Sequence, residues 1–309
     1  MDVINESARQ AALDHHCLVA SDTPFQRALR VRQARWRETR GFPIGSHRGQ
    51  PLGSRLLMPD AEHHLWNYLT PDVGMLVREE YQSNLRVTDR RFRKMLGYPR
   101  LFEDLLSSQP LCFNLFGPLK LDLGLATDVA KRLWPERVDR VTAVHFEFSP
   151  GRWDARYLDN GTAADVLIEH TLPGAGRGVI AIEVKYHEDL RGKTNRMKPR
   201  YADIYCDSGA FIGDIPAALA RPPLQQILLD HLLALAMRET DRLDSALFVL
   251  TAPAENAAVT HAIDCYGKLL DPSTTPTMQY LTLEDLVSAV VLASSSRWIT
   301  DFSVRYLGR

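Results

Sequence analysis

Three strand-like runs follow one another between residues 141 and 186, and they limit the fold more than anything else in the chain. They are VTAVHFEF (141–148), TAADVLIE (162–169) and GVIAIEVKY (178–186), separated by the turn-rich SPGRWDARYLDNG and TLPGAGRG. Three consecutive strands predict a meander. After a basic, irregular stretch, Pro222 and Pro223 introduce a long apolar helix, LQQILLDHLLALAMRE, which hands over to a strand at 245–253. A helix near 256–270, a short strand TMQYLTL, a helix opened by a Thr282/Asp285 capping pair and a last helical segment through Trp298 and Tyr306 complete the chain. From about residue 119 the order is helix, three strands, helix, strand. That order predicts an α/β architecture with a mixed sheet between helices.

Upstream, residues 1–60 read as an irregular basic segment holding one helix near 24–39 and a loop, GFPIGSHRGQPLGS. Residues 61–309 read as a single α/β domain whose N-terminal part, to about residue 135, is a series of short helices.

With 309 residues, 45% hydrophobic and 24% charged, the chain can bury a core without staples. Its four cysteines, Cys17, Cys112, Cys206 and Cys265, have no C-x-x-C spacing and read as free thiols in a reducing compartment. The first ten residues carry acids instead of a basic leader, and no apolar run approaches the ~18 residues of a membrane span, so the expected setting is cytoplasmic with no membrane partner.

A formal net charge of -1 means that any polyanion site must be local. Residues 27–48 hold seven arginines against Glu38 alone, residues 86–94 hold five cations against Asp89, and residues 191–200 hold Arg191, Lys193, Arg196, Lys198 and Arg200 with no acid. Each run could contact phosphates or be a solvated face.

The chemistry concentrates in the second and third strands. Alternate residues share a face, so Glu183 and Lys185 are neighbours on one side of GVIAIEVKY. Asp165 stands among Ala163, Ala164, Val166, Leu167 and Ile168, where an acid needs compensation. A hairpin centred on Gly174 puts both acids nine residues from the turn, so Asp165 should face Glu183. Two facing carboxylates call for a cation between them. A divalent metal would serve, with Mg²⁺ suited to hard oxygen ligands, and a salt bridge to Lys185 would serve equally. An acid-x-Lys triplet is by itself uninformative, since one is expected by chance from 38 acids and 7 lysines and one is found.

The triad Asp165, then Glu183-x-Lys185, on this order of elements resembles the PD-(D/E)XK nuclease superfamily, the restriction-endonuclease-like fold. The stretches SSQPLCFNLFGPL (107–119), FEFSPGR (146–152), GTAADVLIEH (161–170), IEVKYHEDL (182–190) and LQQILLDHLLALAM (224–237) are similar to a bacterial family of restriction endonucleases within it. The likeness covers about residues 25–307 and is strongest over 107–237. It implies an αβββαβ core with a mixed central sheet and a helical N-terminal region. It further implies Asp165 and Glu183 as metal-binding carboxylates, the Val184 carbonyl as a third ligand, Lys185 as the catalytic lysine and Gln226 as a residue near the site. Ala164 replaces the proline of the written motif. An acid from an earlier element sometimes joins such sites, with Glu79, Glu80 and Glu147 as candidates.

The activity so implied is Mg²⁺-dependent hydrolysis of DNA phosphodiester bonds, with Mn²⁺ as a substitute, in restriction, defence or repair. RNA is open to the same chemistry, and restriction-type enzymes often act as homodimers. The alternative is a non-catalytic nucleic-acid-binding or assembly subunit that keeps the fold. Other signals carry less. Gly174, Gly176 and Gly178 precede a strand, so they read as a hairpin turn and not a phosphate cradle. His15-His16 and His63-His64 lack zinc-site spacing. Asn114 reads as a capping or packing residue, and the five tryptophans read as core.

Overall fold

The computed structural model describes residues 2–192 and 194–309, with side chains from residue 6 onward. Along the chain the elements are α1 (Asp2–Asp14), α2 (Pro24–Thr39), β1 (Ile44–His47), β2 (Gln50–Leu56), α3 (Asp60–His64), α4 (Pro71–Arg86), α5 (Arg100–Glu103), α6 (Ser108–Leu121) and α7 (Leu123–Leu133). There follow β3 (Arg140–Phe148), β4 (Ala164–Thr171), β5 (Arg177–Val184), α8 (Pro199–Asp207), α9 (Leu224–Thr240), β6 (Ser245–Ala252), α10 (Ala257–Gly267), β7 (Met278–Thr282), α11 (Leu283–Ala293) and α12 (Arg297–Phe302). They fall into two compact units, one of residues 1–86, 95–118 and 294–309, the other of residues 87–94 and 119–293.

The second unit is a five-stranded mixed sheet in the order β3-β4-β5-β6-β7, with β3, β4 and β5 antiparallel and β5, β6 and β7 parallel. The expected meander is present. Gly174 (φ +86°) and Gly176 (φ +125°) supply the left-handed backbone that closes the β4–β5 turn. Gly178 faces His170, where a Cβ would come within 2.5 Å of the imidazole, so the strand starts with a residue that has no side chain.

Both faces of β5 are covered. Val179 and Ala181 pack with Leu228, Leu232 and Phe248 in the cluster under α9, while Ile180, Ile182 and Val184 are fully buried on the opposite face. Each such aliphatic contributes about 1.5–3 kcal/mol. Every residue of β6 is buried, as expected of a central parallel strand. α7 packs on β3, and α11 packs on α7 and β7. The capping pair is made, with the Asp285 amide donating to Thr282 Oγ1 at 3.0 Å.

In the first unit, residues 2–60 are more ordered than their composition suggests. The stretch read as loop is a β1–β2 hairpin, and residues 2–14 are helical. The α2 helix starts on a Thr23/Gln26 capping box. Its arginines turn to internal partners: Arg30 to Asp22 and Ser54, Arg32 to the Tyr306 carbonyl, Arg35 to His15, and Arg37 to the carbonyls of Gly53 and Phe42. This charge run is therefore largely structural. Arg305, fully buried, donates to Gln33 Oε1 (3.1 Å), the Asn67 carbonyl (2.7 Å) and Asn67 Oδ1 (2.5 Å), with its guanidinium 4.0 Å from the Trp36 ring centroid. Asn114 is a packing residue, accepting from the Leu69 amide and donating to the Asn67 carbonyl and the Tyr306 hydroxyl.

Candidate active site

The observed hairpin register sets the site. Val166 pairs with Ile182 and Leu167 with Ala181, so one step further along the ladder Asp165 stands opposite Glu183, as the count about Gly174 predicts. On the other side of β4, Phe146 pairs with Val166 and Phe148 with Ala164, which sets Glu147 opposite Asp165 as well. Three acids therefore lie in line across β3, β4 and β5. Glu79 and Glu80 lie on α4, in the first unit.

Direct contacts tie the group together. Lys185 Nζ lies 2.7 Å from Glu183 Oε1, both side chains being close to fully buried. Gln226 Nε2 donates to the same oxygen at 2.6 Å. Asp165 Oδ2 accepts the Val184 amide at 2.8 Å, pinning one carboxylate to the neighbouring strand. The Lys185 amide donates to the Thr251 carbonyl of β6. The adjacent glutamine points elsewhere, for Gln225 binds the amide and carbonyl of Asn195 and anchors the preceding loop.

Asp230 completes the cluster, and it was not among the residues that the sequence singled out. It lies one turn after Gln226 on α9, so both project from the same helix face. Only 7% exposed, it shares a small enclosed cavity with Glu183, and its Oδ2 has no hydrogen-bond partner among the described residues. A lone acid in LQQILLDHLLALAM, four residues after a glutamine, is the signal that could have found it.

The electrostatics reflect an excess of negative charge. Burial, then the charges of Glu183 and Glu147, push the Asp165 carboxyl well above the usual range, against the pull of Lys185 and the Val184 amide. Burial and Glu183 push Asp230 up in the same way, against Lys185. Burial disfavours the Lys185 ammonium, but Glu183, Asp165 and Glu188 outweigh it and hold that group charged. Burial opposes the charge of Glu188 too, yet His187, Lys185 and the Tyr186 amide keep its carboxyl below the usual range.

This donor set fits a hard divalent cation. It offers carboxylate oxygens from adjacent strands in a buried, over-acidic pocket, with an orphaned carboxylate oxygen nearby. Among the described residues no three His, Cys, Asp or Glu side chains are grouped to chelate an ion alone.

The two later basic runs are partly spent on local acids. Arg91 pairs with Asp89, Arg191 with Asp189, Lys198 with Asp159 and Arg200 with Glu239; Lys193 lies outside the described residues. Trp36 and Trp134 are buried, Trp66 and Trp298 half-buried, and Trp153 is exposed, unlike the core position expected of it.

A mixed sheet flanked by helices, with an acid on its second strand and acid-x-Lys running off the end of its third, defines a restriction-endonuclease-like class of protein. The model of the PD-(D/E)XK nuclease superfamily matches residues 20–308, nearly the whole chain, and the protein belongs to that superfamily. No curated protein and no solved structure gives a significant match. Among the described residues, no helix is long and apolar enough to cross a membrane.

Proposed function

We propose that the protein is a Mg²⁺-dependent endonuclease that hydrolyses DNA phosphodiester bonds, with Mn²⁺ as a substitute ion. The observation that carries this reading is the buried cluster in which Glu183 binds both Lys185 and Gln226 while Asp165 faces it from the next strand. Asp165, Glu183 and the Val184 carbonyl would hold the ion. When bound, it would supply positive charge and polarisation at the scissile phosphate.

The chain's own residues do the rest. Lys185 places an ammonium where negative charge builds on the phosphoryl oxygens as water attacks phosphorus. Gln226 fixes the Glu183 carboxylate from α9, and the Val184 amide fixes Asp165, so neither must reorganise during the reaction. Burial limits competing solvent and strengthens each of these interactions. The reading brings with it a cytoplasmic setting and, for cutting both strands, a homodimer; restriction, defence or repair follows by analogy.

One observation favours a second reading. The 2.7 Å pair between Lys185 and Glu183 is also what a structural salt bridge in a non-catalytic nucleic-acid-binding subunit would look like. Purified protein incubated with supercoiled plasmid, linear duplex, single-stranded DNA and RNA, in Mg²⁺, Mn²⁺ or EDTA, separates the two. Cleavage of DNA in Mg²⁺ or Mn²⁺ that EDTA abolishes supports the enzyme. Binding without cleavage in any metal supports the second reading, and cleavage confined to RNA overturns the DNA assignment.

A further inference from the structure

Next to the acids, within the same unit, opens a cleft of about 700 Å³ whose lining includes Phe92, Lys94, Glu147, Phe148, Arg152 and Trp153. Glu147 joins it to the site, since it lies opposite Asp165 and its charge acts on that carboxyl.

The lining is both aromatic and charged. Trp153 is 49% exposed and Phe92 50% exposed, so two large rings present apolar area within one cleft. Trp153 is held in place nonetheless. Its amide donates to the Asn160 carbonyl at 2.9 Å, its indole Nε1 donates to the Arg91 carbonyl at 3.2 Å, and its backbone sits at φ +62°. Left-handed backbone at a bulky residue costs about 1–3 kcal/mol and persists only where the surroundings enforce it. Glu147, at φ +46°, carries the same kind of strain.

Arg152 is the second, independent observation. It is 8% exposed, its Nη1 donates to the Gly161 carbonyl at 2.8 Å, and its buried Nη2 has no hydrogen-bond partner among the described residues. Glu147 Oε2 stands 3.6 Å from that Nη2, a distance of charge attraction and not of a hydrogen bond. A donor and an acceptor thus sit side by side in an aromatic cleft. The edge of a nucleobase, with its own adjacent acceptors and donors, complements that arrangement. The volume falls in the ~300–1,000 Å³ range of ligand sites.

We propose that this cleft takes one unpaired nucleobase of the strand being cut, stacked on Trp153 with its edge along the wall that Arg152 and Glu147 line. The inference rests on the nuclease reading and narrows its substrate to single-stranded or locally opened DNA. A base within a duplex is covered on both faces and cannot enter a pocket without leaving the stack.

The test is fluorescence anisotropy of a labelled 16-nucleotide mixed-sequence DNA strand, and of the same strand in a blunt duplex, titrated with the full chain in EDTA. Wild type, Trp153→Ala and Trp153→Phe are compared after circular dichroism shows the same fold. Stacking one base is worth roughly 5- to 150-fold in affinity. Expected are tighter wild-type binding to the single strand, about a ten-fold loss in Trp153→Ala on that strand alone, and substantial recovery in Trp153→Phe. Equal affinity for strand and duplex, no binding to either, or an unaffected Trp153→Ala overturns the proposal. Binding in EDTA needs no chemistry. Absence of Mg²⁺-dependent cleavage alongside a Trp153-dependent strand preference would therefore count against the nuclease reading and not against the base pocket.

Discussion

Replacing His231 with glutamine should make the fold less sensitive to acid. His231 is fully buried on α9, with Nδ1 3.0 Å from the Tyr266 hydroxyl and Nε2 2.9 Å from Thr277 Oγ1. Burial first, then the charge of Arg238, push its pKa down to about 3. In the unfolded chain the ring takes up a proton near pH 6.5. Below that pH the unfolded state binds a proton that the folded state refuses, so stability is full above about pH 6.5 and falls as pH drops toward 3. The slope approaches about 1.4 kcal/mol per pH unit, which gives a loss of about 2 kcal/mol at pH 5 relative to pH 8. Glutamine can keep a hydrogen bond and has nothing to titrate. Urea unfolding of both proteins at pH 8, 7, 6 and 5 reads the difference directly. The variant should gain on the wild type by about 2 kcal/mol between pH 8 and pH 5. A difference that stays flat over this range would refute a buried, neutral His231.

Three further outcomes follow from buried or exposed groups. Asp230→Asn should stabilise the metal-free protein at neutral pH by about 1–3 kcal/mol, by removing a buried carboxylate with an orphaned oxygen. The folded-state pKa of Asp230 is raised, so its cost grows as pH rises, and thermal melts should show a larger gain at pH 8 than at pH 5. Arg305→Ala should cost about 3 kcal/mol or more in urea unfolding, since it strands buried acceptors on Gln33 and Asn67. At pH 8 a thiol reagent should label exposed Cys206 quickly and leave Cys17 unmodified, because burial pushes the Cys17 thiol up to about 11; peptide mass mapping checks this.

Legibility in the sequence followed the range of the interactions. The β4–β5 register was readable because a tight turn fixes it and both acids lie equally far from Gly174. The proximity of Glu183 and Lys185 needed only strand alternation. Gln226 came from family resemblance alone, and the structure places it on Glu183. Asp230 escaped because an apolar helix around an acid does not say which strand it covers. The β1–β2 hairpin escaped for a related reason. Its glycines and proline read as loop, yet Gly53 is a glycine because a Cβ there would come within 2.0 Å of the His15 carbonyl oxygen, a contact 38 residues away in sequence. The α2 arginines show the same limit. Charge is visible in the sequence but direction is not, and partners such as the Tyr306 carbonyl lie at the far end of the chain.

The account stands most directly on Lys185. Wild type and Lys185→Ala, shown by circular dichroism to share one fold, should be compared for cleavage of single-stranded and duplex DNA in Mg²⁺ under identical conditions. The account predicts metal-dependent cleavage by the wild type and a loss of at least about a hundred-fold in the variant, on the scale of removing one transition-state charge partner. Equal cleavage by the two proteins would contradict it, because the activity would then lie elsewhere than at Asp165, Glu183 and Lys185.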